Sequence, residues 1–179
     1  MAHTLILGIP ESGKSTLGKK LAADYRHLGR QVAVLDSTGA KWPADFQTDS
    51  PELFLNYCRV HISLRVFVDE SGDAFEHQRS DLNWLGNRGR HLGHACFFIG
   101  QGYPQVPLAV RRCCTCVYLF NCNPDDAKAL AKYFNAPELE SAPQLKKGEF
   151  LLKRSFEPVR LGKINFTKGT VEIAKRRRD

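Results

Sequence analysis

Short, mainly apolar runs punctuate this chain at His3 to Leu7, Gln31 to Leu35, Leu64 to Val68, Ala95 to Ile99 and Val117 to Phe120. Each is too brief for a helix and lacks the polar alternation of a strand with one wet face, so these runs read as strands covered on both faces. Between them, Lys14 to Leu28 and Pro51 to Ile62 read as helices, and Phe75 to Leu92 is a polar, amphipathic stretch. Pro51 suits a first helical turn, and Asn123-Pro124-Asp125-Asp126 reads as the capped start of a helix that runs to Phe134. The region of Gly39, Pro43 and Asp45 reads as loop. The last quarter changes character. Gly148 to Lys153 and Val159 to Phe166, separated by Ser155, Glu157 and Pro158, read as an antiparallel hairpin at the sheet edge. The expected class is α/β: a mainly parallel sheet flanked by helices, with a C-terminal antiparallel β-hairpin.

The first strand runs directly into Gly8-Ile9-Pro10-Glu11-Ser12-Gly13-Lys14-Ser15, which fits the phosphate-loop pattern G-x-x-x-x-G-K-[ST] at every fixed position. Glycines at both ends let the backbone curl around a phosphate with its N–H groups inward, and the helix that follows presents its positive end. The expected nucleotide-binding set is Gly8, Ile9, Pro10, Glu11, Ser12, Gly13, Lys14, Ser15 and Thr16. Lys14 would reach the β- and γ-phosphates, and Ser15 would hold Mg²⁺.

The third strand ends in Asp69-Glu70, the form of a Walker B strand. Asp69 is the expected Mg²⁺ residue, and Glu70 the group that orients or deprotonates the attacking water. Gln101 follows the next strand. Because strand carboxyl ends gather around the ligand crevice in such sheets, Gln101 is expected to face the γ-phosphate.

The chain has 179 residues, enough for one domain with its own core. We expect that core over 1–167 and a basic C-terminal tail over 168–179, where Lys175-Arg176-Arg177-Arg178 is either a solvated end or a phosphate-contacting arm. No apolar stretch approaches the roughly 20 residues needed to cross a bilayer, and no leader is visible before the first strand, so the cytoplasm is the expected compartment. The formal net charge is +7, from 26 Lys and Arg against 19 Asp and Glu, which favours a polyanionic partner. Of the six cysteines, Cys113-x-x-Cys116 has a spacing used by zinc sites and redox pairs, with His91-x-x-His94 and Cys96 nearby in sequence. The stretch Arg111 to Phe120 instead looks like entry into a buried strand, where cysteine acts as a small hydrophobe.

With these motifs in order, the chain resembles the FtsK and HerA group of DNA-pumping ATPases, and within it the genome-packaging ATPases of tailless, membrane-containing viruses. The resemblance rests on Gly8 to Thr16, on Val66-Phe67-Val68-Asp69-Glu70, and on Arg88-Gly89-Arg90-His91-Leu92-Gly93 leading to Gln101. Val106-Pro107, Val110-Arg111-Arg112, Asn123-Pro124-Asp125-Asp126-Ala127 and Gly148-Glu149-Phe150 add to it. It implies a RecA-like P-loop NTPase of the ASCE type, with ATP and Mg²⁺ as cofactors. It also implies double-stranded DNA as partner, and a homo-oligomeric ring, commonly a hexamer, whose neighbouring subunit supplies an arginine finger. Arg90 best matches that arginine, with Arg88, Arg111 and Arg112 as competitors. The expected catalytic set is therefore Glu70, Gln101, Arg90 and Lys14. Relatives often carry arginine and proline after the glutamine, whereas Gly102, Tyr103 and Pro104 follow Gln101 here. A bare motor core favours the viral branch, with capsid-vertex or membrane packaging proteins as further partners and the host cytoplasm or the virion's packaging vertex as location.

The rival reading is a small-molecule or nucleotide kinase, which shares the phosphate loop, the size and the arginine-rich segments. Adjacent acids argue against it, because a kinase suppresses water attack and Glu70 promotes it. A regulatory GTPase would need an Asn-Lys-x-Asp motif, which the sequence lacks.

Overall fold

The structure, a computed structural model, describes residues 3–69 and 83–174. The short apolar runs are strands, and they are buried on both faces as their composition requires: every residue of β1 (His3–Leu7), β2 (Val32–Leu35) and β4 (Arg65–Val68) is buried. With β3 (Phe46–Thr48), β5 (Ala95–Gly100), β6 (Cys114–Leu119), β7 (Glu149–Arg154), β8 (Arg160–Asn165) and β9 (Thr170–Ile173) they form one nine-stranded sheet among the described residues. Its order is β3-β2-β4-β5-β1-β6-β7-β8-β9. The strands from β3 to β6 pair in parallel, and β7, β8 and β9 add antiparallel.

Alternate residues of each strand enter two separate cores, one on each face. Ile6, Val34, Phe67, Ile99 and Tyr118 pack with Leu17 and Ala22 of α1 (Lys14–His27). Leu5, Val66, Phe98 and Val117 pack on the other face with Phe54 and Cys58 of α2 (Pro51–Val60), Val110 of α3 (Leu108–Cys113) and Leu130 of α4 (Pro124–Phe134). The helix starts carry the expected signals. The Leu53 N–H donates to Ser50 Oγ at 3.4 Å just before Pro51, and the Asp125 N–H donates to Asn123 Oδ1 at 2.9 Å.

Three elements depart from the sequence pattern. β3 lies in the stretch read as loop; it is a three-residue edge strand, too short and too exposed to show periodicity. Arg111, Arg112 and Cys113 belong to α3, and the strand starts only at Cys114. A register shift between His3 and Thr4 then turns Cys114 and Cys116 into opposite cores, while the Cys113 thiol donates to Asn87 Oδ1, so the Cys113-x-x-Cys116 pair does not converge. Lastly, β9 pairs with β8 from Gly162 to Asn165, so residues 170–173, placed in the tail by composition, are a sheet strand. Lys175 to Arg178 lie outside the described residues.

Two histidines, both fully buried, act as neutral crossbars. The Cys96 N–H donates to His3 Nδ1 at 3.1 Å, which puts the ring proton on Nε2, facing the Gly86 carbonyl at 3.1 Å. In the same way the Leu64 N–H donates to His94 Nδ1 at 3.2 Å, and His94 Nε2 meets the Cys58 carbonyl at 2.9 Å. Burial pushes the His3 pKa down from 6.5 to about 4 and lowers that of His94. A lowered folded pKa means that the unfolded chain binds the proton first. The stabilisation is full above about pH 6.5 and is lost as pH falls toward 4, about 3 kcal/mol from His3 alone. Urea unfolding should show stability falling across that window, with a shallower slope in His3→Gln; equal slopes would contradict the crossbar.

Candidate nucleotide site

The carboxyl end of β1 delivers Gly8 into a space that admits no side chain: a Cβ there would stand 2.6 Å from Phe120 Cβ and 2.9 Å from the Asn121 carbonyl oxygen. That close approach lets the Ile9 N–H donate to the Asn121 carbonyl at 2.8 Å, anchoring the loop on the end of β6. Asn121 is itself held by two bonds of 2.9 Å from its side-chain N–H₂ to the Pro143 and Leu145 carbonyls. The loop crosses its crown with Glu11 at φ 60° and enters α1 through Gly13 at φ 116°, a conformation that favours glycine. No side chain caps α1 at its start, and no acid lies in its first turn. Its leading N–H groups and positive dipole end are thus left for an anion. Lys14 is 7% exposed, and its Nζ donates to the Ile9 carbonyl at 2.8 Å, which lays the ammonium across the loop it would share with a phosphate.

A cavity of about 640 Å³ opens over this loop, within the range of small-ligand sites. Pro10, Glu11, Gly13, Lys14, Ser15 and Thr16 form one wall; Gln101, Lys147 and Phe166 complete it. The uncapped helix start, the inward lysine and the cavity's size fit a nucleoside triphosphate, and the Ser15 hydroxyl on the wall fits the expected Mg²⁺. Asp69 sits buried at the end of β4, its N–H donating to the Leu35 carbonyl at 2.9 Å. Strand β5 lies between β1 and β4, which carries Gln101 to the cavity between the phosphate loop and Asp69. Glu70 lies outside the described residues.

The arginines are distributed differently. Arg88 and Arg90 are exposed in and just after a wide helical turn, Leu85–Gly89, pinned by His3 at Gly86 and by the His94 N–H bond to the Gly89 carbonyl. That turn precedes β5, whereas Gln101 follows it, so the strand separates them by about 20 Å at 3.3 Å per residue. Arg90 therefore lies at the opposite end of the sheet from Lys14. Arg111 is engaged at home, its guanidinium 4.6 Å from the Tyr103 ring centroid, while Arg112 is exposed on α3.

Sequence reasoning did not single out Lys147, Phe166 or Asn121. Each reaches the site through strand order, and only the order of β6, β7 and β8 beside β1 brings them there.

No protein-family model matches the chain, and no curated protein matches it in sequence. Its fold does have matches among solved structures. The genome packaging NTPase B204 from Sulfolobus turreted icosahedral virus 2, in complex with AMPPCP, covers 97% of this chain and 97% of its own at a TM-score of 0.69 and 15% identity. The same NTPase in complex with ATP-gammaS gives a TM-score of 0.71 and 16% identity over 97% of this chain and 96% of its own. VirB4 of Thermoanaerobacter pseudethanolicus matches 87% of each chain at a TM-score of 0.67 and 12% identity. At these identities the likeness is one of fold: the chain has a RecA-like P-loop fold, and its neighbours include the kind of protein its motifs resemble.

Proposed function

We propose that the chain is an ATP-hydrolysing motor that translocates double-stranded DNA, and that it packages a viral genome into a preformed capsid. The observation that carries this reading is the cavity that joins an uncapped helix start, an inward lysine and a strand-end glutamine within a packaging-NTPase fold. In it, the N–H groups from Gly8 to Thr16 cradle the phosphates, and Lys14 exchanges the Ile9 carbonyl for a phosphate oxygen. Ser15 and Asp69 would hold Mg²⁺, whose charge would offset that of the transferring phosphoryl group. Glu70 takes the proton of the attacking water, and Gln101 orients that water. A glutamine in this position suits a water-activating motor better than a kinase.

The far placement of Arg90 excludes it from its own subunit's chemistry and suits a finger reaching the next subunit of a ring, commonly a hexamer. Arg90→Ala protein is expected to be inactive alone and to regain part of the wild-type rate when mixed with inactive Lys14→Ala protein. Only mixed rings place an intact phosphate loop beside an intact Arg90. A wild-type rate from Arg90→Ala protein alone would remove it from the site.

Positive net charge supports a DNA partner bound through backbone phosphates, with affinity falling steeply as salt rises. No helix among the described residues is long and apolar enough to cross a membrane. Action in the host cytoplasm or at the packaging vertex, beside capsid or membrane packaging proteins, follows from the packaging reading. ATP turnover at low salt with and without long double-stranded DNA tests it. Stimulation is expected; turnover indifferent to DNA, or raised only by a small metabolite, would favour the kinase.

A further inference from the structure

Phosphate-loop residues and Gln101 account for part of the lining of the 640 Å³ cavity and leave the adjoining wall, Lys147 and Phe166, without an assigned task. That wall is built with some care. Phe166 follows β8, yet it is 48% exposed and lines the cavity instead of closing into a core. Its seat is Gly148, at φ 83°, where a Cβ would stand 2.7 Å from the Phe166 ring. Any side chain at 148 would push the ring away, and the left-handed backbone also favours glycine there. The Gly148 N–H donates to the Ser12 carbonyl at 2.9 Å and its own carbonyl accepts from the Ile164 N–H at 2.8 Å. Both the ring and the preceding Lys147 are therefore stitched to the phosphate loop. An ideal Cβ on Gly13 would lie 3.5 Å from the Phe166 ring, which places the ring beside the start of α1.

We propose that Phe166 is the stacking platform for the nucleotide base and that Lys147, at the rim, contacts the ribose-phosphate, so that the antiparallel strands complete the nucleotide site. This rests on the nucleotide reading above and adds to it a second half of the site. The phosphates are fixed at one end, with Gln101 on the γ side. Thr16 and Phe166 line the same cavity, and the ring stands beside Gly13 at the start of α1, within reach of a nucleotide whose phosphates the loop holds. A ring with half its surface open to a polar cavity offers a base a flat apolar contact, and stacking of that kind accepts any base because every base has a π-face.

The test is calorimetric titration of the whole chain with ATP and, separately, with inorganic tripolyphosphate. Phe166→Leu keeps an apolar side chain over Gly148 and removes the π-face, and Phe166→Trp restores it. ATP binding is expected to weaken about 5- to 100-fold in Phe166→Leu and to recover in Phe166→Trp, with tripolyphosphate binding the same in all three proteins. Unchanged ATP affinity in Phe166→Leu would overturn the platform. So would an equal loss of ATP and tripolyphosphate, which would make Phe166 a prop for the loop. A wild-type chain that binds neither ligand would overturn the nucleotide reading, and the platform with it.

Discussion

Glu70→Gln protein is expected to bind ATP as tightly as the wild type and to hydrolyse it about 100-fold or more slowly, the usual yield of a positioned general base. Glutamine keeps the volume of the side chain and loses only its ability to take a proton. If Asp69 serves the metal and Glu70 the water, the exchange leaves phosphate and metal contacts whole while removing the step that activates water. Titration with ATP and single-turnover hydrolysis separate the two quantities. Hydrolysis at the wild-type rate would remove Glu70 as the base and shift that role to another acceptor near Gln101.

Lys14→Ala acts at the other stage. Its Nζ already lies within the loop, donating to the Ile9 carbonyl, so little reorganisation is needed to bind phosphate. A charge-assisted bond to phosphate in a largely buried setting contributes on the order of 1.5–3 kcal/mol. ATP affinity should therefore fall about 10- to 100-fold, with turnover lost at ordinary ATP concentrations. The fold should survive, because backbone bonds from Gly8 and Ile9 to the ends of β5 and β6 remain to anchor the loop. Unchanged affinity in Lys14→Ala would contradict a triphosphate in this loop. A collapse of the urea midpoint together with affinity would instead make Lys14 structural.

The parts of the site legible in sequence are those made of consecutive residues. The phosphate loop needs a strand, two glycines and a helix start in unbroken order, and the buried strands announce themselves because both faces are apolar. The place of Gln101 in the cavity was also within reach, since strand ends in a parallel sheet gather at one edge. Phe166, Lys147 and Asn121 were not, because their place depends on which strand lies next to which. A hairpin attached elsewhere would have the same local sequence. The cysteine-rich stretch was legible in part: Cys114 and Cys116 are buried small hydrophobes of β6, as expected, whereas Arg111 to Cys113 end α3, where Arg111 meets the Tyr103 ring and accepts from the Tyr133 hydroxyl at its carbonyl. Likewise, nothing in the spacing of His3 or His94 distinguishes a neutral crossbar from a surface histidine; burial decides it.

The central claim is movement along DNA, and displacement of a labelled third strand from a long duplex reads it directly. With ATP and Mg²⁺ the wild-type protein should release the third strand at a rate that rises with ATP concentration, while a non-hydrolysable analogue or the Glu70→Gln protein should not. Steady ATP hydrolysis without any release would contradict a translocating motor and leave a DNA-independent phosphohydrolase on the same fold.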